Sequence, residues 1–217
     1  MNVFNELPSP ASGARVRQRE ATARAVLKAA REEFERVGFE AANVRAIAAR
    51  AGVSAGTVLH HHRDKRDLLY AALFEGLDQT LRVAVQSLGP GPLEAQLTQL
   101  TGAVFGFYQQ RPALSRTLLK ESLFVEGPWA ERFTGQVKDV HAAVAALASA
   151  ACARGELRPG THGALFAAAY FSFFYFALIS WVQGAHPKPV SLVEALVAQH
   201  LEGLRPLKKS LPRRRSR

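Results

Sequence analysis

The sequence has one cysteine, Cys152, and no methionine after Met1. A lone thiol closes no internal disulfide, so the fold must rest on its core, and the composition suits a reducing cytoplasm. Metal-ligand spacing is missing as well. Cys152 has no partner cysteine, and the 7 histidines contain no i, i+4 pair. Three of them, His60-His61-His62, are consecutive, and neighbours on a helix point about 100° apart instead of closing on one ion. No metal and no cofactor are expected. No alternating run is long enough for a strand, and there is no repeat, Walker loop or Rossmann fingerprint. Gly52 to Gly56 reads G-x-S-x-G, but the hydrolase elbow needs a strand before its serine, and here a helix precedes it. Catalysis is not expected. No apolar run precedes Arg15, so no signal peptide is read. One uncharged run, Ala164 to Val182, is 19 residues long, enough to span a bilayer. Its aromatics fill the middle instead of the edges, and its flanks lack clustered Lys or Arg. It is expected to be a helix buried in a soluble assembly, with no membrane contact.

Charge is abundant but uneven. The net charge is +10 over 217 residues, long enough to bury a real core. Residues 1–66 hold 12 Lys and Arg against 7 Asp and Glu, residues 67–204 hold 9 against 11, and residues 205–217 hold 7 against none. Basic ends around a mildly acidic middle point to a polyanion that meets the ends.

The densest pattern runs from Asn43 to Lys65. Val44, Ile47, Ala48 and Ala51 fall at i, i+3, i+4 and i+7, one buried face of a helix. Gly52 supplies the left-handed backbone that ends it. Ser54 is placed to cap the next helix through its hydroxyl. Ala48 allows a close crossing, and Val53 and Val58 fill the angle between the two helices. This is a helix-turn-helix, whose second helix can enter a major groove.

Around it the chain reads helical throughout. Residues 1–14, with Pro8, Pro10 and Gly13, are expected to be a flexible arm. A helix from about Arg17 to Val37 carries Leu27, Ala30, Phe34 and Val37, and Gly38 ends it with Phe34 against Phe39. A fourth helix follows Asp64 with Leu69, Leu73, Leu77 and Leu81. Breaks at Gly89 to Pro92, Pro112, Gly127-Pro128, Gly155 to Gly160 and Pro187 to Pro189 separate five more. The long seventh is expected to bury Trp129, Phe133, Val137, Val140, Val144, Leu147 and Ala151. The eighth, about His162 to Gly184, lies in a stretch with 8 of the 19 aromatics. Residues 206–217 form a basic tail, expected to be disordered, that could add nonspecific attraction to DNA.

Val44-Arg45-Ala46-Ile47-Ala48, Ala51-Gly52-Val53-Ser54, Gly56-Thr57-Val58, His61, Lys65 and Asp67-Leu68-Leu69 together resemble the signature of the TetR family of bacterial transcriptional regulators. The resemblance covers about fifty residues, including the first helix. It implies an all-α fold of about nine helices. A DNA-binding domain over 15–64 would precede a ligand-binding and dimerisation domain over 65–205. It also implies a homodimer whose last two long helices form the interface. Two positions depart from the family pattern. Leu59 stands where a tyrosine is usual in the recognition helix, and His62 where a core phenylalanine follows the histidine.

On these grounds the residues expected at DNA are Asn43, Arg45, Ser54, Ala55, Thr57, Leu59, His60, His61 and Lys65. Arg45 and Lys65 sit near helix starts, where the dipole disfavours cations and a phosphate would reverse the penalty. Thr57 offers a methyl or a hydroxyl, and Ala55 or Leu59 an apolar contact to a thymine methyl. No Arg, Asn or Gln in this helix can grip a purine with two bonds, so direct readout should be modest. Arg15, Arg17 and Arg19 could add minor-groove or phosphate contacts. For a small, mostly apolar effector the candidate pocket residues are Phe105, Tyr108, Phe124, Trp129, His141, Tyr170 and Phe174. The expected molecule is a cytoplasmic, effector-released repressor on a near-palindromic double-stranded operator. The alternative is a DNA-binding regulator with no small-molecule inducer, controlled by a protein partner or constitutive.

Overall fold

The computed structural model describes residues 10–122 and 124–206, with side chains from residue 13 onward. Among these the chain forms nine helices and no strand: α1 (Pro10–Ala41), α2 (Val44–Ala51), α3 (Ala55–His61), α4 (Lys65–Gln86), α5 (Leu93–Gln109), α6 (Pro112–Ser122), α7 (Pro128–Ala153), α8 (Gly163–Val182) and α9 (Pro189–Leu204). The expected all-α class is the observed one. The tail from residue 207 and the first nine residues of the arm lie outside the described residues. The rest of the arm is a correction. Helix α1 starts at Pro10, so residues 10–14 are helical. Proline is tolerated there because a first-turn N–H has no partner to lose, and Ala, Arg and Gln sustain the turns that follow.

The residues fall into two compact units, residues 1–76 with 111–124, and 77–110 with 125–217. In the first unit, α1 breaks at Gly38, whose φ of 79° is open to glycine alone at low cost. Phe34 and Phe39 meet across that break with ring centroids 5.7 Å apart. The core around it is Val26, Ala30, Phe34, Ile47, Val58, Leu68, Leu69 and Leu73, all at most 1 % exposed. Burial of each larger side chain stabilises the unit by about 1.5–3 kcal/mol. Helix α6 belongs here too. The Glu35 carboxylate on α1 accepts the N–H groups of Ala113 (3.4 Å) and Leu114 (2.8 Å), satisfying free donors at the start of α6.

In the second unit, α7 packs on α8, α8 on α9, and α5 on both α7 and α9. The face that α7 buries follows the expected stripe at Val144 and Ala151, adds Gln136 and Ala148, and departs from it at Val137, which is 37 % exposed. Small residues let the backbones approach. A Cβ added to Gly163 would lie 2.8 Å from the Ala145 carbonyl oxygen. Helix α8 is long and apolar enough to cross a membrane by length and composition. It buries Phe166, Tyr170, Phe174 and Leu178 within the unit, while Leu165 is 69 % and Phe176 57 % exposed.

Candidate nucleic-acid interface

The segment from Asn43 to His62 is built almost entirely from local hydrogen bonds. Asn43 Oδ1 accepts the Ala46 N–H at 2.8 Å and caps α2. At the other end Gly52 adopts φ 70°, ψ 29°, its N–H reaching Ala49 O at 3.2 Å and the Val53 N–H reaching Ala48 O at 3.0 Å. That pair of bonds is a Schellman turn, and it fixes the angle at which the chain leaves α2. Ser54 Oγ then accepts the Thr57 N–H at 3.0 Å, and its hydroxyl also pairs with Thr57 Oγ1 at 2.9 Å. Helix α3 follows with Val58 fully buried.

What remains outward is the candidate reading surface. Arg45, Ser54, Leu59 and His60 are exposed, and Ala55, Thr57 and His61 are half-buried. Leu59 is 50 % exposed, a large apolar side chain on an otherwise polar rim. The Ser54 and Thr57 hydroxyls engage each other, so the cap already uses part of the hydrogen-bonding capacity assigned to base readout. The His60 and His61 rings meet edge to face at 5.5 Å.

Lys65, expected at a phosphate, also has partners within the protein. Its Nζ donates to the carbonyls of Glu40 (2.9 Å) and Ala42 (3.2 Å) and lies 4.7 Å from the centroid of the Phe39 ring. The ammonium therefore satisfies carbonyls at the end of α1, which accounts for a cation in the first turn of α4 without any phosphate. An ammonium has three donors, so one stays available. Asp64 and Asp67 complete this corner. Asp64 Oδ1 accepts the Asp67 N–H at 2.8 Å, and Asp67 Oδ2 accepts the Arg63 N–H at 3.3 Å, a reciprocal cap. His62 Nδ1 lies 3.5 Å from Asp67 Oδ2. Burial holds its pKa below the usual histidine value, partly opposed by the Asp67 charge. This imidazole fills its half-buried place as a polar ring with a polar partner.

The sequence reading missed the ion network behind the motif. Glu33 on α1 is buried, and its oxygens accept from Arg36 Nη2 (2.7 Å) and Nε (3.1 Å) and from Arg50 Nη2 on α2 (3.4 Å). Arg50 Nη1 also approaches Glu32 at 3.7 Å. The hydrogen bond from Arg36 holds the Glu33 carboxyl below the usual carboxylate range, against the opposing effect of burial. A carboxylate beside Phe34, within the apolar stripe of α1, was the signal in the sequence. These contacts pin α2 to α1, and with it the base of α3.

The pocket candidates divide between the units. Phe105, Tyr108, Tyr170 and Phe174 are all buried in the second, with the Phe105 and Phe174 centroids 4.6 Å apart and Tyr108 6.5 Å from Phe174. The Tyr170 and Thr101 hydroxyls pair at 2.8 Å, and burial pushes the Tyr170 phenol up to about 12. Burial also raises the Tyr108 phenol. His141 stacks edge-on against Phe171 at 4.9 Å, and its buried Nε2 has no partner among the described residues. Gln136 Nε2 is in the same position. Trp129 is half-buried at the start of α7, with Phe133 at 6.3 Å and the Arg132 guanidinium 4.7 Å from its ring. Phe124 departs from the expectation. It belongs to the first unit and is 86 % exposed, at the turn that follows α6.

Compared with known proteins, residues 26–72 match the family model for bacterial regulatory proteins of the tetR family. Over that stretch the chain is similar to the TetR family. The matched stretch runs from the first buried turn of α1 into α4 and contains the whole helix-turn-helix. Among curated relatives, the chain is 31 % identical over 109 residues to the HTH-type transcriptional repressor Rv1474c of Mycobacterium tuberculosis, 50 % of this chain and 57 % of that protein. It is 35 % identical over 100 residues to the HTH-type transcriptional regulator BetI of Escherichia coli, 44 % of this chain and 51 % of the relative. The chain thus spans about half the length of these curated relatives. Solved structures share the fold more widely. A TetR transcription regulator from Haloarcula marismortui superposes with a TM-score of 0.72 at 15 % identity, covering 84 % of this chain and 97 % of that one. FadR from Bacillus subtilis, solved in complex with stearoyl-CoA, gives 0.68 at 17 %, covering 83 % and 98 %.

Proposed function

We propose that the chain is a DNA-binding transcriptional repressor, active as a cytoplasmic homodimer and released from a near-palindromic operator by a small, mostly apolar effector. The observation that carries this reading is the α2–Gly52–α3 unit. Both of its caps are satisfied internally and its outward face is left to Arg45, Ser54, Leu59 and His60. A two-helix unit fixed from behind, here by Glu33, Arg50 and Lys65, delivers its second helix to a major groove without ordering cost. Dimerisation is supported by Leu165 and Phe176 on α8, which are too exposed for an isolated protomer to gain from them. The effector is supported by the buried aromatic cluster of Phe105, Tyr108 and Phe174 and, separately, by two orphaned polar atoms on α7, His141 Nε2 and Gln136 Nε2. A buried unpaired polar group costs about 1–3 kcal/mol, which a ligand with matching groups recovers. FadR, a distant protein of the same fold, holds stearoyl-CoA, so a body of this shape is compatible with an apolar guest.

The test is selection of genomic fragments by the purified chain, followed by footprinting and an effector screen. The expected footprint has two half-sites about 34–36 Å apart or a multiple of that spacing. An effector coupled by roughly 1–3 kcal/mol weakens binding about 5- to 150-fold. Recovery of no fragment above nonspecific background refutes the DNA reading. Tight operator binding that no small molecule relieves refutes the effector alone.

A further inference from the structure

The family match begins at residue 26, and Val26 is also the first buried apolar side chain of α1. Upstream the helix continues to Pro10 with little to hold it. Residues 14–21 are exposed without interruption. This overhang carries Arg15, Arg17, Arg19 and Arg24 against a single carboxylate, Glu20. No ion pair or hydrogen bond engages any of the four guanidinium groups among the described residues.

Helical geometry sorts these cations. At 100° per residue, Arg15 and Arg19 share one side, and Arg17 and Arg24, seven residues apart, share the opposite side. The first turn of α1 contains no acidic residue, so nothing offsets the positive end of the helix dipole. An isolated helix of this length is marginal in water. Packing explains none of the arginines, and their mutual repulsion opposes helix formation. A polyanion on both sides reverses each of those costs. Gly13 to Val26 spans about 20 Å at the α-helical rise. Along a duplex that length corresponds to about six base pairs.

We propose that the overhang of α1 is a second duplex-DNA contact. Its two arginine rows neutralise phosphates of the two strands bordering a groove, in addition to the phosphates met around α3. The proposal rests on the DNA-binding reading above, and its test separates the two.

The experiment measures binding of the full chain to a selected genomic fragment across a salt series, beside the variant Arg15→Gln, Arg17→Gln, Arg19→Gln, Arg24→Gln. Glutamine keeps helix propensity close to that of arginine. Each engaged arginine contributes about 0.9 to the slope of log K against log salt, so the variant's slope is expected to be shallower by up to about 3.6 per subunit. A four-lysine variant is expected to keep the native slope. Melting curves for all three proteins are expected to coincide, because the altered side chains are exposed. Native binding with an unchanged slope in the glutamine variant overturns this proposal and leaves the DNA reading standing. No duplex binding by the native chain overturns both. If the glutamine variant loses only attachment to phosphatidylserine vesicles and keeps its DNA slope, the rows serve a lipid surface and the proposal fails.

Discussion

Replacing Glu33 by glutamine tests whether the ion network behind the motif holds the helix-turn-helix unit together. The side chain is 3 % exposed and accepts three N–H groups, two from Arg36 and one from Arg50. Hydrogen bonds to a charged group contribute about 1.5–3 kcal/mol each where they are dry. Here the donors are wet. The Arg36 side chain is 57 % and the Arg50 side chain 40 % exposed, so solvent screens both and the values cannot simply be added. A net loss of about 2 kcal/mol is the expected result at pH 7, a fall in melting temperature of roughly 4–8 °C. The pH dependence supplies the sharper test. The folded-state pKa of Glu33 is depressed, chiefly by its hydrogen bond from Arg36. Its stabilisation is therefore complete above the unfolded carboxylate value of about 4.3 and is lost as pH falls through the lower folded value. Far-UV circular dichroism melts of native and Glu33→Gln protein should differ at pH 7 and converge in acid. A gap that does not narrow as the solution is acidified, or none at pH 7, refutes the argument.

Other perturbations follow from the same geometry. Lys65→Met keeps the apolar stem but removes two bonds to carbonyls and the contact with Phe39, and should cost about 1–2 kcal/mol in a thermal melt; an unaltered melt refutes the anchoring role. If the third ammonium donor meets a phosphate, the same variant also lowers the salt slope of DNA binding by about 0.9. Gly163→Ala places a Cβ 2.8 Å from the Ala145 carbonyl oxygen and 3.1 Å from Ser149 Oγ, so α8 must shift off α7. The expected loss is about 1–3 kcal/mol, and equal or higher stability would contradict the close approach. Leu59, exposed on α3, is expected to read a thymine methyl. Uracil at that operator position should weaken native binding about fourfold, from about 0.8 kcal/mol for one methyl, and leave Leu59→Ala binding unchanged. Equal uracil sensitivity in both proteins removes Leu59 from readout.

The parts of this molecule that were legible from sequence are those whose partners lie within one helical turn. Asn43 reaches Ala46, Ser54 reaches Thr57, and Gly52 and Val53 reach back to Ala49 and Ala48. The residue types alone specify such bonds, because capping chemistry acts at fixed short offsets. Lys65 shows where that logic stops. A cation at a helix start looks like half of a phosphate contact, yet its partners are carbonyls 23 and 25 residues upstream, and a carbonyl leaves no mark in a sequence. Glu33 and Arg50 meet across 17 residues for a related reason, since only the crossing of α1 and α2 brings them together. Helix α7 was legible in part: its stripe held at Val144 and Ala151, but Ala148 and Gln136, which are also buried, carry little periodic signal, and Val137 is exposed. The start of α1 failed because helix propensity without burial has no period. Of these gaps, the first two bear on function. The first places Lys65, a charged side chain of the expected DNA surface, in the service of its own geometry, and the second ties α2 to α1 behind that surface, so on the proposed function rigidity and affinity for phosphate both draw on Lys65. Lys65→Met is therefore the variant that measures both at once. A chain that melts earlier yet keeps its salt slope assigns the lysine wholly to the scaffold.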